Sequence, residues 1–321
     1  MEQTKEMGKK KGFSLLKNKH DELRCVWMLA MTMTVVYGVQ RFISYPIRGI
    51  GLLAEKISGN PDIATDILYA VYGTSLIYVI ICTVISVLLM LLFRIIYKRP
   101  FTQIGFCKTG SIKQMAFGLL FGIVTSSLVI FILLAIGSAQ VVEINIGNIA
   151  SSGVLNAFVI FLFVGFYEEI LARGVMMTAL KTTRNKWLIV FVPSAIFGLM
   201  HAMNDNVTVF SLVNIAFIGV LLSYLFVKTG RLWAPIGFHI TWNLFIGTIY
   251  GTPVSGMSFD SIAFIELTGP VWLTGGDFGI EGGALCTVIA ALGLVFIHFF
   301  VKKSEGYWYF DSNLPLTRGS L

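Results

Sequence analysis

Apolar runs of membrane length, separated by short polar or basic segments, follow one another from Cys25 to Val301. A helix that crosses a bilayer needs about 20 mainly apolar residues. On that measure the pattern predicts eight spans, near 25–44, 66–93, 112–137, 154–179, 187–204, 207–227, 232–251 and 282–301. The second is long enough to tilt or to begin at the interface. The fifth and sixth are parted only by Asn204-Asp205-Asn206. No long polar linker interrupts the series. The expectation is therefore an all-α, polytopic transmembrane helical bundle over 25–301, between an N-terminal tail at 1–24 and a C-terminal tail at 302–321. No internal repeat stands out, which weighs against a transporter built from inverted halves.

Composition agrees: 56% of residues are hydrophobic and 13% charged, and mean hydropathy is +0.80. Water-soluble domains carry about 25% charged residues.

Basic residues set the orientation. The N-terminal tail holds Lys5, Lys9, Lys10, Lys11, Lys17, Lys19 and Arg24. The second-to-third connection holds Arg94, Lys98, Arg99, Lys108 and Lys113; the fourth-to-fifth holds Lys181, Arg184 and Lys186. Lys228 and Arg231 follow the sixth span, and Lys302 and Lys303 the eighth. With eight spans all of these fall on one side, so the positive-inside rule predicts that both termini are cytoplasmic. The segments 138–153, 204–206 and 252–281 hold no Lys or Arg. A first outer loop with Arg41, Arg48 and Lys56 is the exception.

The net charge of +7 is then explained by flanks facing anionic lipid, and no nucleic-acid partner is implied. The first apolar run is too long for a signal peptide and lacks a small-residue cleavage site. Cys25, Cys82, Cys107 and Cys286 form no CxxC pair, so neither a disulfide framework nor a thiolate metal cluster is expected. Gly118 and Gly122 give the third span a small-xxx-small face for close helix contact. The loop 252–281 reads as either a cap over the outer face or a mobile connector.

Chemistry is concentrated at about 150–251. Three polar motifs interrupt apolar runs there: Glu168-Glu169-Ile170-Leu171-Ala172-Arg173, Phe197-Gly198-Leu199-Met200-His201, and His239-Ile240-Thr241-Trp242-Asn243. A charge at mid-bilayer costs about 2.5–3.5 kcal/mol on insertion scales, so such residues mark a functional interior. Glu169 and Arg173 are four apart and meet on one helix face, where each neutralises the other. Glu168 is turned about 100° away and can face the bundle interior. A carboxylate there can hold and deprotonate water. His239 and Asn243 share a stripe, and imidazole and amide N–H groups there can stabilise an oxyanion. The bland alternative for each is a hydrogen bond or ion pair that holds helices together. Counted from the cytoplasmic helix ends at 1.5 Å per residue, Glu168 and His201 lie roughly 20 Å deep and His239 roughly 12 Å.

The three motifs in this order resemble the CPBP family, which includes type II CAAX prenyl endopeptidases and bacterial bacteriocin-processing or self-immunity proteins. Its pattern is EExxxR, then FxxxH, then HxxxN or HxxxB on successive helices, and all three are intact here. The segment Arg99-Pro100-Phe101-Thr102-Gln103-Ile104-Gly105-Phe106 also looks like the family's connector before the core. The resemblance implies an intramembrane endopeptidase acting on a peptide or membrane-protein substrate. It makes Glu168 the general base, His201 its partner in positioning water, and His239 and Asn243 the oxyanion hole. Glu169 and Arg173 become supports. A divalent metal such as Zn held by Glu168, His201 and His239 is the other form of the chemistry, although no HExxH is present. A metal-free glutamate mechanism suits the same residues.

Two other functions are compatible with such a bundle. One is a non-catalytic scaffold or bacteriocin self-immunity protein using the same fold, which loss of a motif residue would favour. The other is a transporter with polar residues along a path. The expected location is the membrane, as a multi-pass protein of a bacterial plasma membrane. Substrate and oligomeric state are not legible.

Overall fold

The structure, a computed structural model, describes residues 15–18, 23–72, 75–98 and 100–303. Lys5, Lys9, Lys10, Lys11, Lys19, Arg99 and the tail beyond 303 fall outside the described residues.

Runs of Leu, Ile, Val and Phe without period-2 alternation fold as helix, and helix dominates the chain. The elements are α1 (Cys25–Ser58), α2 (Ile63–Tyr72), α3 (Ser75–Tyr97), α4 (Ser111–Ala135) and α5 (Ser152–Glu169). From α5 the helix continues through a π-helical stretch, Ile170–Met176, into α6 (Met177–Leu180). Then come α7 (Lys186–Met200), α8 (Val209–Thr229), α9 (Trp233–Leu244), α10 (Val271–Thr274) and α11 (Ala284–Phe300). A second π-helical stretch, Phe245–Ile249, extends α9.

Among the described residues, five helices are long and apolar enough to cross a membrane: Cys25–Ser58, Ser75–Tyr97, Ser111–Ala135, Ser152–Thr183 and Val209–Thr229. The protein is thus a helical membrane protein. The eight expected runs all have a helical counterpart, but α7 and α11 are shorter apolar helices, and the seventh run is α9 with its π-helical extension.

Several expectations need correction. The first run does not stop at 44. It continues to Ser58 as a 34-residue helix, about 50 Å long. Arg41, Arg48 and Lys56 therefore lie on α1, not in an outer loop. Pro46 sits within this helix, so hydrophobicity fades there before helicity does. The second run is two helices, α2 and α3. The all-α reading also misses a two-stranded antiparallel ribbon, β1 (Ala139–Ile144) with β2 (Ala263–Leu267). Its strands lie more than 100 residues apart in sequence, and a bulge between Val141 and Glu143 breaks the alternation that would have signalled them. The segment 252–281 holds β2, α10 and two 3₁₀ turns, and so is a folded cap.

The junction between the fifth and sixth runs is sharp for a local reason. Asn206 adopts a left-handed φ of 56°. Thr208 and Ser211 then form a capping box that starts α8.

Helix α9 is the centre of the bundle. Every residue from Ala234 to Asn243 is buried, as expected of a helix enclosed by protein on all sides. Its most extensive partner is α4. A Cβ on Gly118 would collide with the Ala234 carbonyl, and one on Gly122 with the Thr241 hydroxyl. The two glycines thus let the helices touch backbone to backbone, and Thr241 Oγ1 donates to the Leu119 carbonyl across the seam (2.8 Å).

Candidate active site

Helix α5 carries Glu168 and Glu169 at its last two positions, where the helix widens into the π-helical stretch that holds Arg173. Asn243 likewise comes just before the second π-helical stretch. Such stretches often occur at functional sites, because one extra residue per turn re-aims the side chains beside it.

The two glutamates diverge as the helical turn requires. Glu169 points into a sealed interior and is fully buried, as is Arg173. Its Oε1 accepts from Arg173 Nη1 (2.8 Å) and from His239 Nδ1 (2.9 Å). Arg173 also donates Nη2–H to the Gly219 carbonyl of α8 (2.9 Å), and its guanidinium lies 4.8 Å above the Phe197 ring. One arginine thus joins α5, α7 and α8. Buried charges are tolerated only when paired in this way.

Glu168 points the other way, into a cavity of about 80 Å³. His201, His239 and Asn243 line the same cavity. His239 Nε2 lies 3.5 Å from Glu168 Oε2. A carboxylate only accepts, so the bond to Glu169 puts a proton on His239 Nδ1. His239 is therefore held by Glu169 on one side and offers Nε2 to Glu168 on the other.

His201 is the cap residue after α7, not a member of the helix as expected. Its Nδ1 lies 2.8 Å from the Phe197 carbonyl. That carbonyl only accepts, so Nδ1 carries the hydrogen of this bond and Nε2 is the nitrogen left for other partners. Phe197 stands edge-on to both histidines, with centroids at 5.1 Å from His201 and 6.0 Å from His239. Asn243 has no protein hydrogen-bond partner among the described residues, which leaves its amide facing the cavity.

The depth count from helix ends put His239 about 8 Å shallower than Glu168, yet both reach one cavity. The reason is that α9 starts inside the protein. Leu232 and Ala234 are fully buried, and the Leu232 amide donates to the Gly105 carbonyl of the preceding connector (3.1 Å).

A cavity of this size holds a few waters. A tetrahedral ion would set two donors roughly 3.3 Å apart, near the spacing of Glu168 and His239. The third donor is missing: among the described residues no three His, Cys, Asp or Glu side chains are grouped as a metal site. The Glu168, His201 and His239 ligand set therefore does not fit a metal ion as folded.

Sequence reasoning missed Glu281. It is buried in the cavity wall and accepts from Trp242 Nε1 (2.9 Å) and Ser255 Oγ (2.6 Å). Its signal was weak: one of two acids, with Asp277, in the glycine-rich stretch before the last apolar run.

Comparison with known proteins agrees with the motifs. Residues 150–245 match the family model described as "Type II CAAX prenyl endopeptidase Rce1-like". A Bacillus subtilis (strain 168) protein named "Putative membrane peptidase YdiL" is 29% identical over 87 residues, which are 27% of this chain and 34% of that protein. The match thus spans about a third of the relative's length. No solved structure matches. The segment 150–245, with all three motifs inside it, is thus similar to the Rce1-like endopeptidase family, which supports the resemblance to the CPBP family.

Proposed function

We propose that the protein is an intramembrane endopeptidase that hydrolyses a peptide bond in a membrane-associated peptide or protein. The observation that carries this reading is the convergence of Glu168, His201, His239 and Asn243 on one small cavity that admits water. The match to endopeptidase and peptidase relatives supports it.

In this reading Glu168 takes a proton from a cavity water, and His201 holds that water through Nε2. Attack on the scissile carbonyl creates an oxyanion. Asn243 Nδ2–H and His239 Nε2–H donate to it. Glu168 then returns its proton to the departing amine, so no covalent intermediate forms. Glu169 fixes the His239 tautomer, and Arg173 balances Glu169. We further place the core at about 150–251 within a 25–301 bundle of eight crossings, with both termini cytoplasmic and the host a bacterium.

The test compares peptide profiles of membranes and medium from cells expressing wild-type protein or Glu168→Ala at matched levels. A general base contributes about 10²–10⁴-fold, so the peptides released by the wild type should vanish. A Glu168→Ala protein that still releases them would overturn the assignment.

A further inference from the structure

The two catalytic segments are joined by more than the cavity between them. His201 and Asn204 belong to the turn after α7, and the Asn204 amide donates back to the His201 carbonyl (3.1 Å). Asn204 Nδ2 donates to the Ser255 carbonyl in the cap (2.8 Å). Ser255 Oγ donates to Glu281 Oε2 (2.6 Å), and the other oxygen of Glu281 accepts from Trp242 Nε1 (2.9 Å). Trp242 is the neighbour of Asn243 on α9. The chain of bonds runs unbroken from the His201 turn to the helix of His239 and Asn243.

Its central residue sits under constraint. Ser255 has φ 48°, a left-handed conformation uncommon for a residue with a side chain. Such a conformation persists only when its surroundings hold it. Gly256 follows with φ 86°. Its amide donates to the Phe278 carbonyl (2.9 Å), and it lies so close to the Asp205 backbone that no Cβ would fit. The cap thus rests directly on the His201 turn. Glu281 is the one charged group in this linkage, and both its oxygens are engaged.

We infer that Glu281 is a positioning residue: its carboxylate clamps Ser255 to Trp242 and so sets the His201 turn against the Asn243 helix. The inference rests on the endopeptidase reading for its catalytic consequence, but not for its structural one. Gln at 281 keeps its one acceptor oxygen for Trp242 Nε1, which can only donate, and turns its NH₂ toward Ser255 Oγ, so the charge-assisted bond from Ser255 is lost. Ser255→Ala removes the same bond from the other side. Because they act on one link, the two substitutions should be strongly non-additive.

The experiment uses full-length protein in detergent. Amide exchange is measured over 201–206, with α4 as internal reference. Cleavage is followed with internally quenched peptides that the wild type cuts and Glu168→Ala does not. For Glu281→Gln we expect exchange over 201–206 to speed about tenfold with α4 unchanged. We expect kcat to fall about tenfold with KM within twofold. The Glu281→Gln, Ser255→Ala double variant should be no worse than the poorer single variant. Unchanged exchange at 201–206 overturns the inference, as does an unchanged kcat or a fully additive double variant. If no peptide shows Glu168-dependent cleavage while exchange at 201–206 still responds to Glu281, the endopeptidase reading fails and the clamp stands.

Discussion

The helices around the site and the helix at the edge of the bundle treat charge in opposite ways. Arg173 and Glu169 are fully buried, and each bonds a neighbouring side chain or carbonyl. Arg41 lies on α1 beside Phe42, which is 81% exposed, and its guanidinium rests 5.5 Å from the Tyr45 ring. Near the site a charge costs too much to be left without a partner, so its neighbours are dictated. On α1 the aliphatic stem of arginine can lie along apolar surface while its head reaches a polar phase, and little else is fixed. Polar residues in the core are therefore informative about geometry, and those on α1 are informative only about surroundings.

Substitutions can break this contrast or sharpen it. The largest effect is expected from Arg173→Ala, which leaves Glu169 buried without its cation. Breaking a buried pair from one side costs about 3–5 kcal/mol. Thermal unfolding in detergent should show a large loss of stability, and a variant as stable as wild type would end the idea that this ion pair organises α5, α7 and α8. Next is Asn243→Ala. Loss of one oxyanion donor costs about 10²–10³ in kcat, with stability nearly kept because the amide has no protein partner to lose. Steady-state cleavage and unfolding measured on the same preparation separate the two effects, and an unchanged kcat would remove Asn243 from the oxyanion hole.

Gly118→Ala should follow, at about 1–3 kcal/mol for overpacking, since its methyl group would meet the Ala234 carbonyl. Unfolding temperature reports it; a neutral result would mean that α4 and α9 can separate without loss. The smallest effect belongs to Phe42→Ala on α1, expected within about 0.5 kcal/mol as for surface positions in general. A larger loss would show that a partner covers this face.

Within the site, legibility differed residue by residue. Glu168, Glu169 and Arg173 could be sorted by helical angle alone, because 100° per residue sends neighbours to different surroundings. The pairing of Glu169 with Arg173 followed from four-residue spacing, and the structure has that bond. The bond from Glu169 to His239 spans 70 residues, and no local rule points to it. The same holds for Glu281, whose partners Trp242 and Ser255 lie 39 and 26 residues away. The ribbon was missed because a strand in a two-stranded ribbon draws its definition from its partner. The end of α1 was misplaced because helicity depends on backbone hydrogen bonds, while the reading followed hydropathy.

The sequence by itself determined the class of the protein, because bilayer-length apolar runs have few other uses. It also pointed to the family that residues 150–245 match and to the residues worth testing, because polar groups within such runs are too costly to be idle. Only the tertiary structure decided which nitrogen of each histidine meets the cavity, that α9 begins below the surface, and that the cap bears on the His201 turn. Those features depend on contacts between segments far apart in the chain. Period and spacing describe one helix at a time, and the site exists only where several of them meet.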